Sequence, residues 1–391
     1  MKKILIYLSI ILSIVLGLIT IISFNEKKET FNVDNYEIFN NWYEVRAEDY
    51  ALFFNNVGNP SVIDYETMNT SIICNIPNCS HNNKDCLITT LKSSNQLPVL
   101  LNGEAFFFEN SKKSTEKDGK IALDLSFKLK KYNFNSCLIS NVAEVKDFNA
   151  NIDDGCYLIG SDYYFTANKG NPLYDELGNV SSTSTSGGGN LFCINLYNGE
   201  VTDFGQVFNY EQLKKEYPSA RNSLSMYIMG KIDNKLYISV NYMKESISKD
   251  MLQNGKVPIW SGETYVFDIN SHKINKLDNE FSMCSMNDYH SYFKDNQNNL
   301  LTLKNVKTGE IYDGPQIASW NAMTIFDDRV WHDDAKCYNI KTGEDIKVLL
   351  SYDYGYVIAK YYNSYIFKEQ DDKGNIVFEK IPCDEIDSLF E

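Results

Sequence analysis

Arginine is almost missing from this chain. Three occur in 391 residues, Arg46, Arg221 and Arg329, far apart in sequence. A site that grips phosphate or carboxylate ligands bidentately normally gathers more than one arginine, so no such cluster is expected. Histidine is scarce as well: His81, His272, His290 and His332. There is no G-x-S-x-G elbow, no H-E-x-x-H pair and no phosphate-cradling glycine loop. The one glycine run, Gly187 to Gly189, lies in a Ser/Thr tract with no strand-to-helix context. Positive charge is short overall, and the formal net charge is −15. Such a chain repels nucleic acid, which is excluded as a partner.

Aromatic residues are plentiful, with 27 Tyr and 22 Phe. They recur in a phrase with a polar turn followed by large apolar residues. It reads EDYALFF at 48–54, NGEAFFF at 102–108, GSDYYFT at 160–166 and DNKLYIS at 233–239. It returns as DYHSYFK at 288–294, FDDRVWH at 326–332 and YYNSYIF at 361–367. Adjacent apolar residues in a strand point to opposite faces, so both faces of this strand are expected to be buried.

A second phrase follows each copy: a polar residue, an apolar residue and a turn. Its polar column is Asp64, Asn133, Asn195, Asp268, Asn305, Asn339 and Lys380. Its apolar column is Tyr65, Phe134, Leu196, Ile269, Val306, Ile340 and Ile381. Asn and Asp bond their own backbone where a strand ends, and Gly199, Gly309 and Gly343 suit the turns that follow. Two hairpins per copy make four strands. Seven such units predict an all-β, seven-bladed β-propeller. The Gly-His…Trp-Asp, kelch and sialidase signatures are absent. The turns NLYNGE, NVKTGE and NIKTGE resemble those of quinoprotein-like propellers, which implies fold only.

Residues 4–24 carry no charge over 21 positions, enough to cross a bilayer as a helix. A cleaved signal would have a shorter apolar core and an A-x-A-like site, and none precedes Asn25. The reading is a transmembrane signal-anchor over 1–24, a linker and closure strand over 25–40, and the propeller over 41–391. Lys2 and Lys3 favour the N-terminus inside, placing the propeller outside the cell. Residues 110–120 and 178–189 read as loops. EQLKKEY at 211–217 and 244–255 read as short helical inserts.

ICNIPNCSHNNKDC, 73–86, interrupts the pattern with Cys74, Cys79, His81 and Cys86. With the anchor and the propeller pattern, this C-x4-C-x-H-x4-C segment resembles uncharacterised membrane-anchored surface propellers of Gram-positive anaerobes. The resemblance implies no activity. Three readings fit the residues: a structural zinc site on these four ligands, a disulfide such as Cys79–Cys86, or redox chemistry at a thiol beside His81. The other six cysteines, Cys137, Cys156, Cys193, Cys284, Cys337 and Cys383, read as small buried residues.

Elsewhere the chemistry-bearing residues read as turn residues. His272 and His290 are expected in solvated turns. Asp327, Asp328, His332, Asp333 and Asp334 are expected in two turns at opposite ends of one strand. The candidate innermost strands, 98–101, 155–159, 224–229, 282–286, 320–324 and 354–359, contain no His, Asp, Glu, Lys or Arg. WYEVRA at 42–47 is the expected innermost strand of the first unit. A tunnel without titratable groups argues against acid–base catalysis. The expected function is a cell-surface binding or scaffolding module for a protein or cell-wall glycan. The alternatives are a polysaccharide lyase or hydrolase with loop-borne catalytic residues, and a metal or redox sensor.

Overall fold

Each copy of the aromatic phrase supplies the second strand of an antiparallel meander. In the computed structural model these strands are Tyr50–Phe54, Glu104–Lys117, Asp162–Lys169, Lys235–Met243, Tyr289–Asp295, Arg329–His332 and Ser364–Gln370. Both faces are buried, as the doubled apolar residues require. Phe106, Phe107, Tyr164, Phe165, Val330 and Trp331 are all buried, and the most exposed of them, Tyr164, reaches only 6%. The structure describes residues 37–40, 44–76, 79–82, 86–94, 96–117, 120–146, 148–151, 155–169, 173–174, 189–217, 224–244, 248–249, 251, 260–278, 282–295, 300–317, 323–333, 335–352 and 355–386. The expected membrane span at 4–24, the loop at 178–188 and most of the 244–255 insert lie outside them. Among the described residues no helix is long and apolar enough to cross a membrane.

The chain is nearly all β. Three four-stranded sheets run in chain order over 224–276, 282–316 and 324–347, and a three-stranded sheet covers 355–382. Earlier strands form a five-stranded and a ten-stranded sheet. Glu37–Asn40 is a strand, and it sits at the inner edge. It pairs with Glu44–Arg46 on one side and Cys156–Ile159 on the other, merging two meanders into the ten-stranded sheet.

Successive sheets pack face to face. Leu191 shares a core with Ile228 and Leu236, Leu303 with Ile325 and Val330, and Trp331 with Val357 and Tyr365. The last sheet then packs on the first, with Ile358, Ala359 and Ile366 against Ala51, Phe53 and Ile63. Meanders packed in chain order, with the last on the first, form a closed ring of the β-propeller type. First strands approach closely near the axis. A side chain at Gly230 would place its Cβ 1.9 Å from the Ser285 carbonyl oxygen. Hairpin alternation puts the first and third turns of every meander at one end of the ring and the second turn at the other.

The polar column behaves as its chemistry suggests. Asp64, Asn133, Asn195, Asp268, Asn305 and Asn339 each accept a hydrogen bond from the backbone N–H three residues on, at 2.7–3.2 Å. The apolar column is tied back to the first turn by backbone bonds of 2.9–3.3 Å, from Tyr65, Phe134, Leu196, Ile269, Val306 and Ile340. In the seventh copy that bond is made by Cys383, whose N–H donates to Asn363. The polar position there is Pro382, opposite Ser364, and Lys380 pairs with Ile366 inside the strand. The sequence assignment of Lys380 and Ile381 is therefore two residues early. The polar position of this turn holds proline in place of the Asn or Asp of the other six copies.

The charged stretch 110–120 corrects another expectation. Residues 110–117 and Lys120 are paired in two long strands, Glu104–Lys117 and Lys120–Asn133, in register from Glu104↔Asn133 to Lys117↔Lys120. The far half of this hairpin passes beyond the end of its outer neighbour, Leu138–Lys146, and takes on the short strand Leu173–Tyr174. It forms an arm at the second-turn end of the ring. An early helix, α1, spans Leu87–Ser94 and packs into the core through Leu87, Ile88 and Leu91. The insert at 211–217 is helical as expected. This second helix, α2, spans Tyr210–Glu216, and the Asn209 side chain at its start accepts from the Gln212 N–H at 3.2 Å. An Asn in that position satisfies a backbone donor the helix itself cannot.

Candidate functional site

The Cys–His segment folds where α1 docks. Cys86 caps that helix with its carbonyl, which accepts from Thr89 and Thr90. Thr89 Oγ1 donates to the His81 carbonyl at 3.0 Å and holds the loop over the helix start. His81 takes a left-handed backbone with a positive φ, which turns the chain between Cys79 and Cys86. Asn75 ties the segment to the next meander. Its amide donates to the Phe134 carbonyl, and it accepts from Tyr132 Oη at 2.7 Å.

These contacts bring all four sequence-predicted residues together. One ligand atom each from Cys74, Cys79, His81 and Cys86 lies within 4.8 Å of the others. Cys74 Sγ is 3.8 Å from Cys86 Sγ, which is 3.6 Å from His81 Nδ1. All nine cysteines are free thiols. Burial pushes the Cys74 thiol up to about 11, helped by the neighbouring Cys86 and Cys79. The half-buried Cys79 thiol is pulled below its ordinary value by the His81 backbone N–H, at 3.4 Å. Three thiols and an imidazole in this arrangement can hold a metal ion.

A second concave feature lies at the first-turn end of the ring. Its volume is about 690 Å³, and Glu37, Lys231, Asp233, Asp288, Asp327 and Asp328 line it. Its carboxylates are placed by turn chemistry. Asp233, Asn287 and Asp327 open their hairpins with positive φ. Asp and Asn tolerate that conformation better than other residues with a side chain. Lysines meet all five carboxylates. Lys231 is 2.6 Å from Glu37, and Lys307 is 2.6 Å from Asp288 and 3.5 Å from Asp233. Lys360 is 2.6 Å from Asp327, and Lys341 pairs with Asp328. Partial burial opposes ionisation of Asp328, but Lys341 and the Tyr289 hydroxyl together hold its carboxyl below the ordinary range. Nothing in the sequence warns of this cavity, because its residues come from separate units and each reads locally as a turn.

The innermost strands are not free of charge. Glu44, on the first of them, is buried. It accepts from Arg46 Nε at 2.7 Å, Lys368 Nζ at 2.9 Å and Tyr356 Oη at 2.6 Å. Burial opposes ionisation, but Arg46, Lys368 and Tyr356 outweigh it, and the carboxyl falls to about 2. Every group here is engaged within the ring wall, so the network closes the ring and offers nothing to a substrate.

Of the histidines, His272 is exposed in its turn, with its ring against Phe204 and Phe267. His290 differs from expectation. It is buried, and its Nδ1 lies 3.1 Å from Ser282 Oγ and 2.9 Å from Ser285 Oγ. The serines come from the preceding strand, Ser282–Met286, which pairs alongside Tyr289–Asp295. This Ser–His cluster is core, without access for a substrate. His332 is also buried, bridging Asp333 at 3.2 Å and Asp345 at 3.0 Å through its two ring nitrogens. Asp327 and Asp328 sit at the other end of that strand, as expected, and Asp334 lies outside the described residues.

No family model matches the chain, and no curated protein does. Among solved structures it is similar to BamB from Moraxella catarrhalis, at 9% identity and TM-score 0.38, over 85% of this chain and 82% of that one. It is similar also to the AfRom2 CNH domain, at 8% identity and TM-score 0.29, over 85% and 77% of the two chains. A third likeness is to the WD40 domain of SCAP from fission yeast, at 10% identity and TM-score 0.19, over 88% and 80%. These superpositions are loose, and the propeller architecture rests on the sheet order and packing.

Proposed function

We propose that the chain is a seven-bladed, membrane-anchored propeller at the cell surface, acting as a binding or scaffolding module for a protein or cell-wall glycan. Seven blades follow from splitting the ten-stranded sheet at Glu37–Asn40 and counting one meander per aromatic phrase. The anchor is the apolar run 4–24.

The observation that carries the binding reading is the pairing of all five cavity carboxylates with lysines. A glycoside hydrolase needs one carboxylic acid that keeps its proton and a second carboxylate as base or nucleophile. Here each of the five carboxylates already faces a lysine ammonium, an arrangement that suits a charged binding surface better than an acid–base pair. The test is co-sedimentation of the full chain with isolated cell walls, with reducing sugar assayed in the supernatant. Sedimentation without sugar release supports the module. Release of reducing ends would refute it and restore the hydrolase.

The Cys–His cluster fits structural zinc best. With Zn–S about 2.3 Å and Zn–N about 2.0–2.1 Å, a regular tetrahedron places sulfurs about 3.8 Å apart and sulfur from nitrogen about 3.5 Å apart. Two of the six separations, 3.8 Å and 3.6 Å, match these values, and all four ligand atoms lie within 4.8 Å of one another. A metal there would tie the segment to α1 and to Tyr132 without adding chemistry, since all four positions are filled by protein.

A further inference from the structure

We infer that the ring rests on the membrane by the end that carries its first and third turns, leaving the second-turn end, with the 104–133 arm, open to partners. This rests on the anchor reading of residues 4–24.

The chain enters the ring at that end. Glu37 pairs with Ile159, the last residue before a first turn, and lines the cavity with Asp233 and Asp327. Residues 25–36 lie between Glu37 and the apolar run. Twelve residues span at most about 43 Å when fully extended. To put the other end on the membrane, the chain would first cross four strands, about 19 Å. It would then follow a seven-residue strand along the rim, about 23 Å. That path consumes the whole length and nearly all the linker's conformational freedom.

The side chains at that end agree. Six large apolar residues are exposed among the described residues: Val57, Leu138, Tyr197, Ile311, Leu349 and Tyr362. Four of them, Leu138, Tyr197, Ile311 and Tyr362, lie in or beside first and third turns, and Tyr362 is 84% exposed. Tyrosine with an apolar body and a wet tip suits the headgroup region. The first-turn carboxylates Asp233, Asp288, Asp327 and Asp328 carry lysine partners, which limits repulsion from anionic lipid at those turns.

The test uses the full chain in phosphatidylethanolamine–phosphatidylglycerol vesicles with a fluorescent headgroup acceptor. A clickable azide-bearing phenylalanine replaces Tyr362 in one variant and Val57 in another, each coupled to a donor dye. Leu138 and Leu349 provide an independent pair. Across a ring about 23 Å thick, energy transfer from 362 and 138 should be at least about twofold that from 57 and 349. Equal or reversed transfer in chains that float with the vesicles overturns the orientation and leaves the anchor standing. Chains that fail to float overturn both.

Discussion

Replacing Glu44 by Gln should loosen the ring at its seam. The substitution keeps the shape of the side chain and removes the charge that Arg46 and Lys368 share. Those two partners are themselves only 16% and 12% exposed, so they cannot recover full hydration. Removing one member of a buried ion network typically costs about 3–5 kcal/mol. The titration of Glu44 gives a similar size independently: a fall from 4.5 to about 2 corresponds to about 3 kcal/mol at neutral pH. At roughly 2–4 °C per kcal/mol, the melting midpoint of E44Q at pH 7 should drop by roughly 6–20 °C. The folded carboxyl titrates below the unfolded one, so its stabilisation is present above about pH 4.5 and is lost as pH falls toward about 2. Wild type should therefore show an acid-dependent loss in that window that E44Q lacks. The assay is a thermal melt followed by circular dichroism, repeated from pH 7 to pH 3. An E44Q midpoint within about 2 °C of wild type, or an identical acid profile, would show that the network does not hold the seam. The double variant E44Q/K368M, with one cation also gone, should recover part of the loss.

Four further outcomes follow from the geometry. Purified full chain should carry one zinc per molecule by mass spectrometry, and Cys74→Ser should lose it; undiminished zinc in that variant would remove Cys74 from the site. Asn305→Ala and Asn339→Ala should each cost about 1 kcal/mol in unfolding free energy from denaturant titration, because two backbone N–H groups per turn lose their acceptor. Gly230→Ala should prevent recovery of folded protein, since its Cβ meets the backbone of Ser285 rather than a movable side chain; a normal melt would show that adjacent first strands can separate. Burial and the neighbouring Glu379 raise the Glu369 carboxyl to about 7, so the folded state prefers the protonated form and stability should decline as pH rises from about 5 to 7. Glu369→Gln should flatten that decline, and an unchanged slope would clear Glu369 of causing it.

What could be read from the sequence was whatever repeats over short range. Doubled apolar residues announced the second strands, and Asn or Asp announced the third turns, because both signals lie within a few residues of the structure they cause. The slip at Lys380 shows the limit: with proline at the polar position, Ile381 imitated the apolar column two positions early. The arm was missed for a related reason. Lys112, Lys113 and Glu116 belong to a ribbon that needs no apolar face, so no period marked it. Long-range partners were invisible altogether. Glu44 meets Lys368 across 324 positions, and nothing near either residue announces the other. The burial of His290 was also unreadable, since its two serines lie on the preceding strand and come alongside only once the hairpin closes. The four ligands at 74–86 were legible because a single loop supplies them all.

The seam also bears on how the protein is made. Glu44 emerges in translation long before Lys368, so the contacts that close the ring bridge 324 positions and form late. Until then the faces of the first sheet that will meet Ile358 and Ile366 lack their cover, and Ala51, Phe53 and Ile63 stay available to other chains. Nascent or truncated molecules should therefore be the species that aggregate, and a chaperone acting on this protein would find its substrate before the last sheet is complete.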